Sequence, residues 1–315
     1  MRVYSPAKIN LHLRVGPKRP DGFHPLVSWM VTVGLFDKLD FAPDRTGRVE
    51  LYCSDPSLAT DQTNLVMRAA QRLQTHWTLD RGGDASFVAV SDESAALAGS
   101  IPGSELPGVR IRLDKTIPMG GGLGGGSSNA ATTLLALNHL WNLNLSRQAL
   151  TGIASEIGSD VPFFIHGPSS LCTGRGEILA PLPVPQASWG VLLFPPIYAP
   201  TREVYQRFDQ MPVPENWDQP VDCRQWANLS AEDLLRVLQN DLETPAFSLF
   251  PELMHLKNVA ETRLSRPVRM SGSGSTLFTL YDHFDQAEQA ARKIQNDLKI
   301  RISVVRIAVT NEANG

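Results

Sequence analysis

Cysteine is scarce in this 315-residue chain. Cys53, Cys172 and Cys223 stand far apart, with no CxxC pair and no spacing that suits zinc, so neither a disulfide scaffold nor a structural metal site is expected. An excess of one charge is also missing. The 29 basic and 32 acidic residues leave a net charge of −3, without the basic footprint that non-specific nucleic-acid binding needs. No apolar run approaches the roughly 18 residues of a membrane span; the stretch 190–198 is short and is broken by Pro195 and Pro196. The first residues, Met1-Arg2-Val3-Tyr4-Ser5-Pro6, contain no apolar signal region. Together these absences lead to the expectation of a cytoplasmic protein with reduced thiols, bound neither to membrane nor to nucleic acid. Its oligomeric state stays open between monomer and weak dimer.

What remains is enough for a folded enzyme. Apolar residues make up 42% of the chain and charged residues 19%, so a sizeable core is affordable at this length. At about 150 residues per domain, two domains or one bilobal unit are expected. Alternation of Ile9, Leu11, Leu13 and Val15 with Lys8, Asn10, His12 and Arg14 predicts a half-buried strand. Further strands are predicted at 27–35, 49–52, 109–113, 189–194, 276–281 and 301–309. Val66, Ala69, Ala70, Leu73 and Trp77 form a helical stripe over 64–77, with Asp61 or Thr63 as its cap. Other helices are predicted at 127–141, 146–157, 231–243, 251–264 and 285–298, and Ser230 with Asp233 resembles a capping box. Residues 80–108 read as an exposed insertion. The mixture favours α+β over repeating βαβ units.

The most informative segment runs Lys115-Thr116-Ile117-Pro118-Met119-Gly120-Gly121-Gly122-Leu123-Gly124-Gly125-Gly126-Ser127-Ser128-Asn129. It joins a strand to a helix through six glycines. Glycine lets the backbone take positive φ and approach a ligand closely. Successive N–H groups there form a concave anion site, and the helix start adds unpaired donors. No Gly-Lys-Ser/Thr follows, so this is not a Walker A loop. The loop has no lysine of its own, which leaves Lys8 and Lys115 as the cations available to a phosphate.

This loop resembles the second motif of the GHMP kinase superfamily. Pro6-Ala7-Lys8-Ile9-Asn10-Leu11 resembles the first motif, and Met270-Ser271-Gly272-Ser273-Gly274-Ser275-Thr276 the third. Asp21-Gly22-Phe23-His24 and Ile157-Gly158-Ser159-Asp160-Val161-Pro162-Phe163-Phe164 resemble the branch that acts on a cytidine-diphosphate-linked polyol. The resemblance spans nearly the whole chain. It implies a two-lobed α+β GHMP kinase fold with the site in the cleft, an ATP-binding domain over 1–165 and a C-terminal domain over 166–315. The implied reaction moves the γ-phosphoryl of ATP, with Mg2+, to the 2-hydroxyl of 4-diphosphocytidyl-2-C-methyl-D-erythritol, in non-mevalonate isoprenoid precursor synthesis.

By resemblance, Asp160 is the catalytic base, with a turn cap as its ordinary alternative, and Lys8 is the catalytic lysine. A loose phosphoryl-transfer transition state lets the acceptor proton leave late, so Asp160 is expected mainly to align the hydroxyl. ATP is expected on Asn64, Lys115, Pro118, Gly120, Gly121, Gly122, Leu123, Gly124, Gly125, Gly126, Ser127 and Ser128; for Asn64, a helix cap is the alternative. Asn10, Thr201, Gly272 and Gly274 are expected at the acceptor. His24 would read the cytosine edge, with Phe23 and Tyr205 stacking on the base. No protein metal ligand is expected, because the nucleotide phosphates and water can hold magnesium. Three departures from the family pattern stand out: Phe23 where Tyr is usual, Pro25 where Glu is frequent, and the long 80–108 insertion. Another GHMP kinase and an inactive nucleotide-binding regulator are the rival readings. The base-binding set argues against the first, and the Lys8 and Asp160 pair against the second.

Overall fold

A computed structural model describes residues 1–80 and 107–310; most of the expected insertion at 80–108 lies outside the described residues. In chain order the first part comprises β1 (Arg2–Val15), β2 (Leu26–Asp44), β3 (Val49–Cys53), α1 (Leu65–Asp80), β4 (Gly108–Asp114), α2 (Gly125–Leu140), α3 (Arg147–Ile157), α4 (Val161–His166), β5 (Ser169–Thr173) and β6 (Ile178–Pro181). The second comprises β7 (Trp189–Phe194), α5 (Thr201–Phe208), α6 (Cys223–Trp226), α7 (Ala231–Val237), α8 (Glu243–Leu249), α9 (Pro251–Leu264), β8 (Arg269–Met270), β9 (Leu277–Tyr281), α10 (Phe284–Leu298) and β10 (Arg301–Arg306).

Two sheets organise these elements. The six-stranded sheet runs β3-β4-β2-β5-β6, with β1 antiparallel to β2. The four-stranded sheet runs β10-β7-β9-β8 and is antiparallel throughout. β5 and β6 lie beyond residue 165 in sequence, yet they complete the first sheet. Side-chain alternation builds three cores from these layers. Leu39, Phe41, Ile111 and Leu113 pack under α1 and α2 through Leu73, Leu134 and Leu137. Ile9, Leu11, Val31 and Val33 meet Leu192 and Phe278 between the sheets. Val191, Leu193 and Leu277 face the opposite way, toward Leu253 and Ile294. Each fully buried Leu, Ile or Phe contributes about 1.5–3 kcal/mol.

The strand expected to be half-buried is buried on both faces. Lys8, Asn10 and His12 are as covered as Ile9 and Leu11. Their polar face is roofed by the loops at 120–126 and 271–276 and by the 239–241 segment, which bonds Leu13 in both directions. Pairing with β2 shifts register between Pro6 and Ala7 and between Asn10 and His12. Such irregularities re-aim neighbouring side chains, and here they flank Lys8.

The helix expected over 231–243 ends at Val237, and a separate helix begins only at Glu243. Leu238 is extended, Asn240 bridges to Leu13, and the Asn240 Oδ1 accepts the Leu242 amide at 2.9 Å, which starts a new helix. Ser230 caps α7 as its spacing implies, accepting from the Asp233 amide at 3.2 Å. Asp61 and Thr63 bond each other, and Asn64 caps α1 through the Val66 amide at 2.9 Å.

Candidate active site

The glycine-rich loop connects β4 to α2. Three of its glycines, 120, 122 and 124, have positive φ, and α2 begins at Gly125 with Gly124 at φ 66° in place of a side-chain cap. Two of these positions exclude a side chain on space as well. A Cβ on Gly122 would sit 2.0 Å from the Ser271 carbonyl oxygen, and one on Gly124 would sit 3.0 Å from Lys8 Cγ. The helix ladder starts only at Ser128, whose amide donates to the Gly124 carbonyl at 2.9 Å. No amide over residues 120–127 has a hydrogen-bond partner among the described residues. A row of unpaired N–H groups with no cap is what a multiply charged phosphate chain requires.

Beside this row, Lys8 and Asp160 bring two motifs together as a close pair of opposite charges lining the cleft. Lys8 is 4% exposed. Its ammonium lies 3.6 Å from Asp160 Oδ2 and donates to Asn10 Oδ1 at 2.5 Å. Its amide donates to the Leu123 carbonyl at 2.9 Å, which ties β1 to the loop. Asp160 occupies the position before α4, but its side chain makes no cap hydrogen bond. The carboxylate is left to face Lys8 and the cleft. A buried ammonium is costly unless paired, and these two oxygens offset the cost.

The third motif closes the arrangement. Ser271 Oγ accepts the Asn10 amide at 3.2 Å and donates to the Gly122 carbonyl at 2.8 Å. One hydroxyl thereby joins all three stretches. The resulting cleft has a volume of about 950 Å³, at the large end for small-molecule sites and suited to two ligands. It is lined by all of the expected site residues except Ser128 and Gly274.

Comparison with known proteins matches this architecture. The GHMP kinases N terminal domain matches residues 64–168, and the GHMP kinases C terminal domain residues 224–300. A 4-diphosphocytidyl-2-C-methyl-D-erythritol kinase of Brevibacillus brevis is 35% identical over 297 residues, covering 94% of this chain and 91% of the relative. One from Prochlorococcus marinus is 38% identical over 305 residues, covering 93% and 88%. A crystal structure of 4-(cytidine 5'-diphospho)-2C-methyl-D-erythritol kinase superposes with a TM-score of 0.73 at 33% identity, over 98% of this chain and 100% of that one. The chain belongs to the 4-diphosphocytidyl-2-C-methyl-D-erythritol kinase family of GHMP kinases. A homoserine kinase from Cytophaga hutchinsonii shares the fold, with a TM-score of 0.67 at 17% identity over 99% and 95% of the two chains.

Within this 4-diphosphocytidyl-2-C-methyl-D-erythritol kinase family member, several side chains sit differently from expectation. Ser128 is fully buried, and its hydroxyl accepts from Ser5 Oγ at 2.7 Å. With its amide spent on the helix, it offers the cleft nothing. Gly274 faces inward, where a Cβ would meet Met270 Sδ at 2.7 Å. Asn10 donates to Ser28 Oγ at 2.8 Å while accepting from Lys8, so its first task is to orient Lys8. Asn64 spends its amide group on Val66 and on the Ala59 carbonyl. Lys115 reaches the cleft wall but pairs with the fully buried Asp37. Asp37 also accepts from Thr116 N, Ile117 N and Asn129 Nδ2 at 2.7–3.0 Å.

The substrate end is also more committed than expected. His24 is buried, with Nδ1 2.9 Å from the Gly16 carbonyl and Nε2 3.0 Å from Asp209 Oδ1. Both ring nitrogens therefore face acceptors of the protein itself. Phe23 is 49% exposed, with the Arg175 guanidinium 5.0 Å from its ring centroid. Tyr205 tilts against His24, centroids 5.2 Å apart. Burial and the Asp160 charge raise the Tyr205 phenol above its ordinary value, so it stays an O–H donor. Thr201 Oγ1 and Ser273 Oγ are 2.9 Å apart across the cleft. Asp37, Arg175 and Asp209 carried no signal of their own in the sequence; Asp37 is one of three carboxylates in β2, with Asp40 and Asp44.

Proposed function

We propose that the protein phosphorylates the 2-hydroxyl of 4-diphosphocytidyl-2-C-methyl-D-erythritol with ATP, giving the 2-phosphate and ADP, on the methylerythritol phosphate route to isoprenoid precursors. One observation carries this reading. The unpaired amides of residues 120–127 run directly up to the Lys8 and Asp160 pair in one cleft. A triphosphate resting on those amides places its last phosphorus beside both groups.

The chemistry follows from that placement. Asp160 accepts the proton of the acceptor hydroxyl as its oxygen bonds to the γ-phosphorus. The bond from that phosphorus to the β,γ-bridging oxygen breaks, and ADP leaves with the electron pair. Lys8 holds Asp160 in position and offsets the charge that builds on the transferring phosphoryl oxygens. Positioning supplies most of the acceleration, which suits an aspartate held by a neighbouring ammonium.

Magnesium fits as a companion of the nucleotide. Among the described residues no group of three or more His, Cys, Asp or Glu could hold a metal ion; the Ser127 hydroxyl, which lines the cleft, would face an ion carried in with the nucleotide phosphates and water. Bound with the nucleotide, the ion would lower the negative charge of the phosphates.

At the other end, the base edge is read by main chain. The His24 ring is fully occupied, while no hydrogen bond among the described residues engages the His24 amide or carbonyl. An N–H beside a C=O complements the N3 acceptor and N4 donor of cytosine and opposes uracil, whose pattern is reversed. The three unpaired cysteines fit a reducing, cytoplasmic setting, and no helix among the described residues is long and apolar enough to cross a membrane.

The test is ATP turnover by the purified protein with the CDP-linked polyol, mevalonate and homoserine in parallel. Turnover is expected with the first alone, with phosphate on the 2-oxygen by phosphorus NMR. Equal activity with mevalonate or homoserine would overturn the reading.

A further inference from the structure

The connection between β1 and β2, residues 16–25, carries Phe23 and His24 yet contains no helix or strand. Its internal bonds are those of a turn: Gly16 N to the Pro25 carbonyl and Arg19 N to the Phe23 carbonyl, both 2.8 Å, Gly22 N to the Arg19 carbonyl at 2.9 Å, Phe23 N to Asp21 Oδ1 at 3.0 Å, the Arg19 and Asp21 ion pair, and His24 Nδ1 against the Gly16 carbonyl at 2.9 Å. These bonds tie the segment to itself, so a contact from another element is needed to fix it against the rest of the cleft.

Asp209 is placed to be that anchor. It follows α5, and its amide donates to the Tyr205 carbonyl at 2.9 Å, so the helix end fixes its backbone. One carboxylate oxygen meets His24 Nε2 at 3.0 Å, and the other accepts from Lys18 Nζ at 2.8 Å. A single carboxylate thus grips the connection at two points. The grips differ in weight. The His24 side chain is 6% exposed and that of Lys18 50%, so solvent screens the lysine contact far more. The same helix presents Tyr205 against the His24 ring and the edge of Phe208 at 5.7 Å. Asp209, Lys18, His24, Phe23 and Tyr205 all line the one cleft.

We propose that Asp209 is a positioning residue for the base subsite: by holding the His24 ring against α5, it fixes the His24 main chain and the gap between Phe23 and Tyr205 into which the base fits. The proposal rests on the substrate reading given above. Among the described residues Asp209 bonds His24, Lys18 and the Tyr205 carbonyl, and none of Lys8, Asp160 or the glycine-rich loop. Its effect reaches the nucleotide half of the acceptor and leaves ATP and the chemical step alone.

The experiment compares Asp209→Ala, Asp209→Asn and Lys18→Met with the parent chain. It measures kcat, KM for the CDP-linked polyol, KM for ATP, the Kd of cytidine 5'-diphosphate by calorimetry, and Tm. Asp209→Ala should raise the polyol KM and the cytidine diphosphate Kd about tenfold or more, the worth of one charge-assisted hydrogen bond. ATP KM and kcat should move by less than about twofold on the same argument. Asp209→Asn should recover most of the loss, because its amide oxygen still accepts from the ring. Lys18→Met should cost less than about threefold, as an exposed pair does. A polyol KM unchanged in Asp209→Ala, equal rises for polyol and ATP, or an Asn variant as impaired as Ala would each overturn the proposal. If the parent chain fails to phosphorylate the polyol, the substrate reading falls, and cytidine diphosphate binding still decides the role of Asp209.

Discussion

The Lys8 ammonium stands 3.6 Å from the Asp160 carboxylate and 2.5 Å from the Asn10 amide oxygen, so one buried cation is aimed by a neighbour on its own strand at a carboxylate from the far end of the lobe. Neither residue is placed by its immediate surroundings alone. The register shifts in β1 turn Lys8 toward the loop, and the turn before α4 delivers Asp160 without using its side chain.

Removing either member should therefore abolish turnover while sparing binding. Asp160→Asn is expected to lower kcat by about 100- to 10,000-fold, the usual worth of a positioned proton acceptor. Both KM values should change little. Lys8→Ala should lose a comparable factor, and Lys8→Arg should not restore it, since a planar fork cannot replace a point charge in a space closed by Gly124. Steady-state kinetics with both substrates checks this, and an Asp160→Asn enzyme with undiminished kcat would refute the assigned chemistry.

The glycines of the loop should not be equivalent. Gly122→Ala places a methyl 2.0 Å from the Ser271 carbonyl at a φ of 73°. A loss of about 2 kcal/mol or more of stability is expected from overpacking and backbone strain, together with a higher KM for ATP. In Gly126→Ala the new methyl would meet only Leu65 Cδ1, at 3.6 Å, so Tm should stay near that of the parent. Thermal melts of the pair, with ATP titrations, make the comparison.

Asp37 should be as sensitive to substitution as the motif residues, because four donors converge on it at full burial. Asp37→Ala leaves the Lys115 ammonium buried and unpaired, at a cost of about 3–5 kcal/mol. The double variant Asp37→Ala with Lys115→Met should recover part of that loss. Chemical denaturation of the three variants supplies the cycle.

His12 should make the fold sensitive to acid. Burial, with a smaller effect from Arg14, depresses its imidazole to about 4 from the ordinary 6.5. The unfolded chain then takes up the proton first as pH falls. Stability is complete above about pH 6.5, declines through that window, and the loss is full near pH 4. Between pH 7 and pH 5 this single group accounts for about 2 kcal/mol. His12→Gln, whatever its absolute stability, should flatten that part of the pH–stability curve. Urea midpoints at the two pH values test the slope, and an unchanged slope would count against His12 as its source.

Residue patterns announced what is periodic or repetitive and missed what is solitary. β1, α1, α2, α3 and α10 each had an alternating or helical apolar signature, and the six glycines of the 120–126 loop stood out by composition. α4 and α5 span too few residues for a period to emerge, and both follow or contain prolines that read as breaks. β5 and β6 are similarly short. Asp37 and Asp209 are single carboxylates, and nothing local distinguishes them from any solvated acid. Their partners lie on other elements, so contact appears only once the chain is folded. The burial of Lys8, Asn10 and His12 was hidden for the same reason: an alternating strand announces a wet face, and only the roof provided by residues 239–241 and 271–276 dries it.

Ser271 has a wider implication, because its hydroxyl touches the backbone of both Asn10 and Gly122. The strand that carries Lys8 and Asn10 comes from the first residues, the glycine-rich loop from the middle, and the latch from near the end. A protease nick in the described surface between the sheets would leave two pieces, each carrying part of the machinery and neither able to hold both reactants. Activity in this enzyme should therefore vanish on separation of such fragments and return only when they are mixed and reassemble.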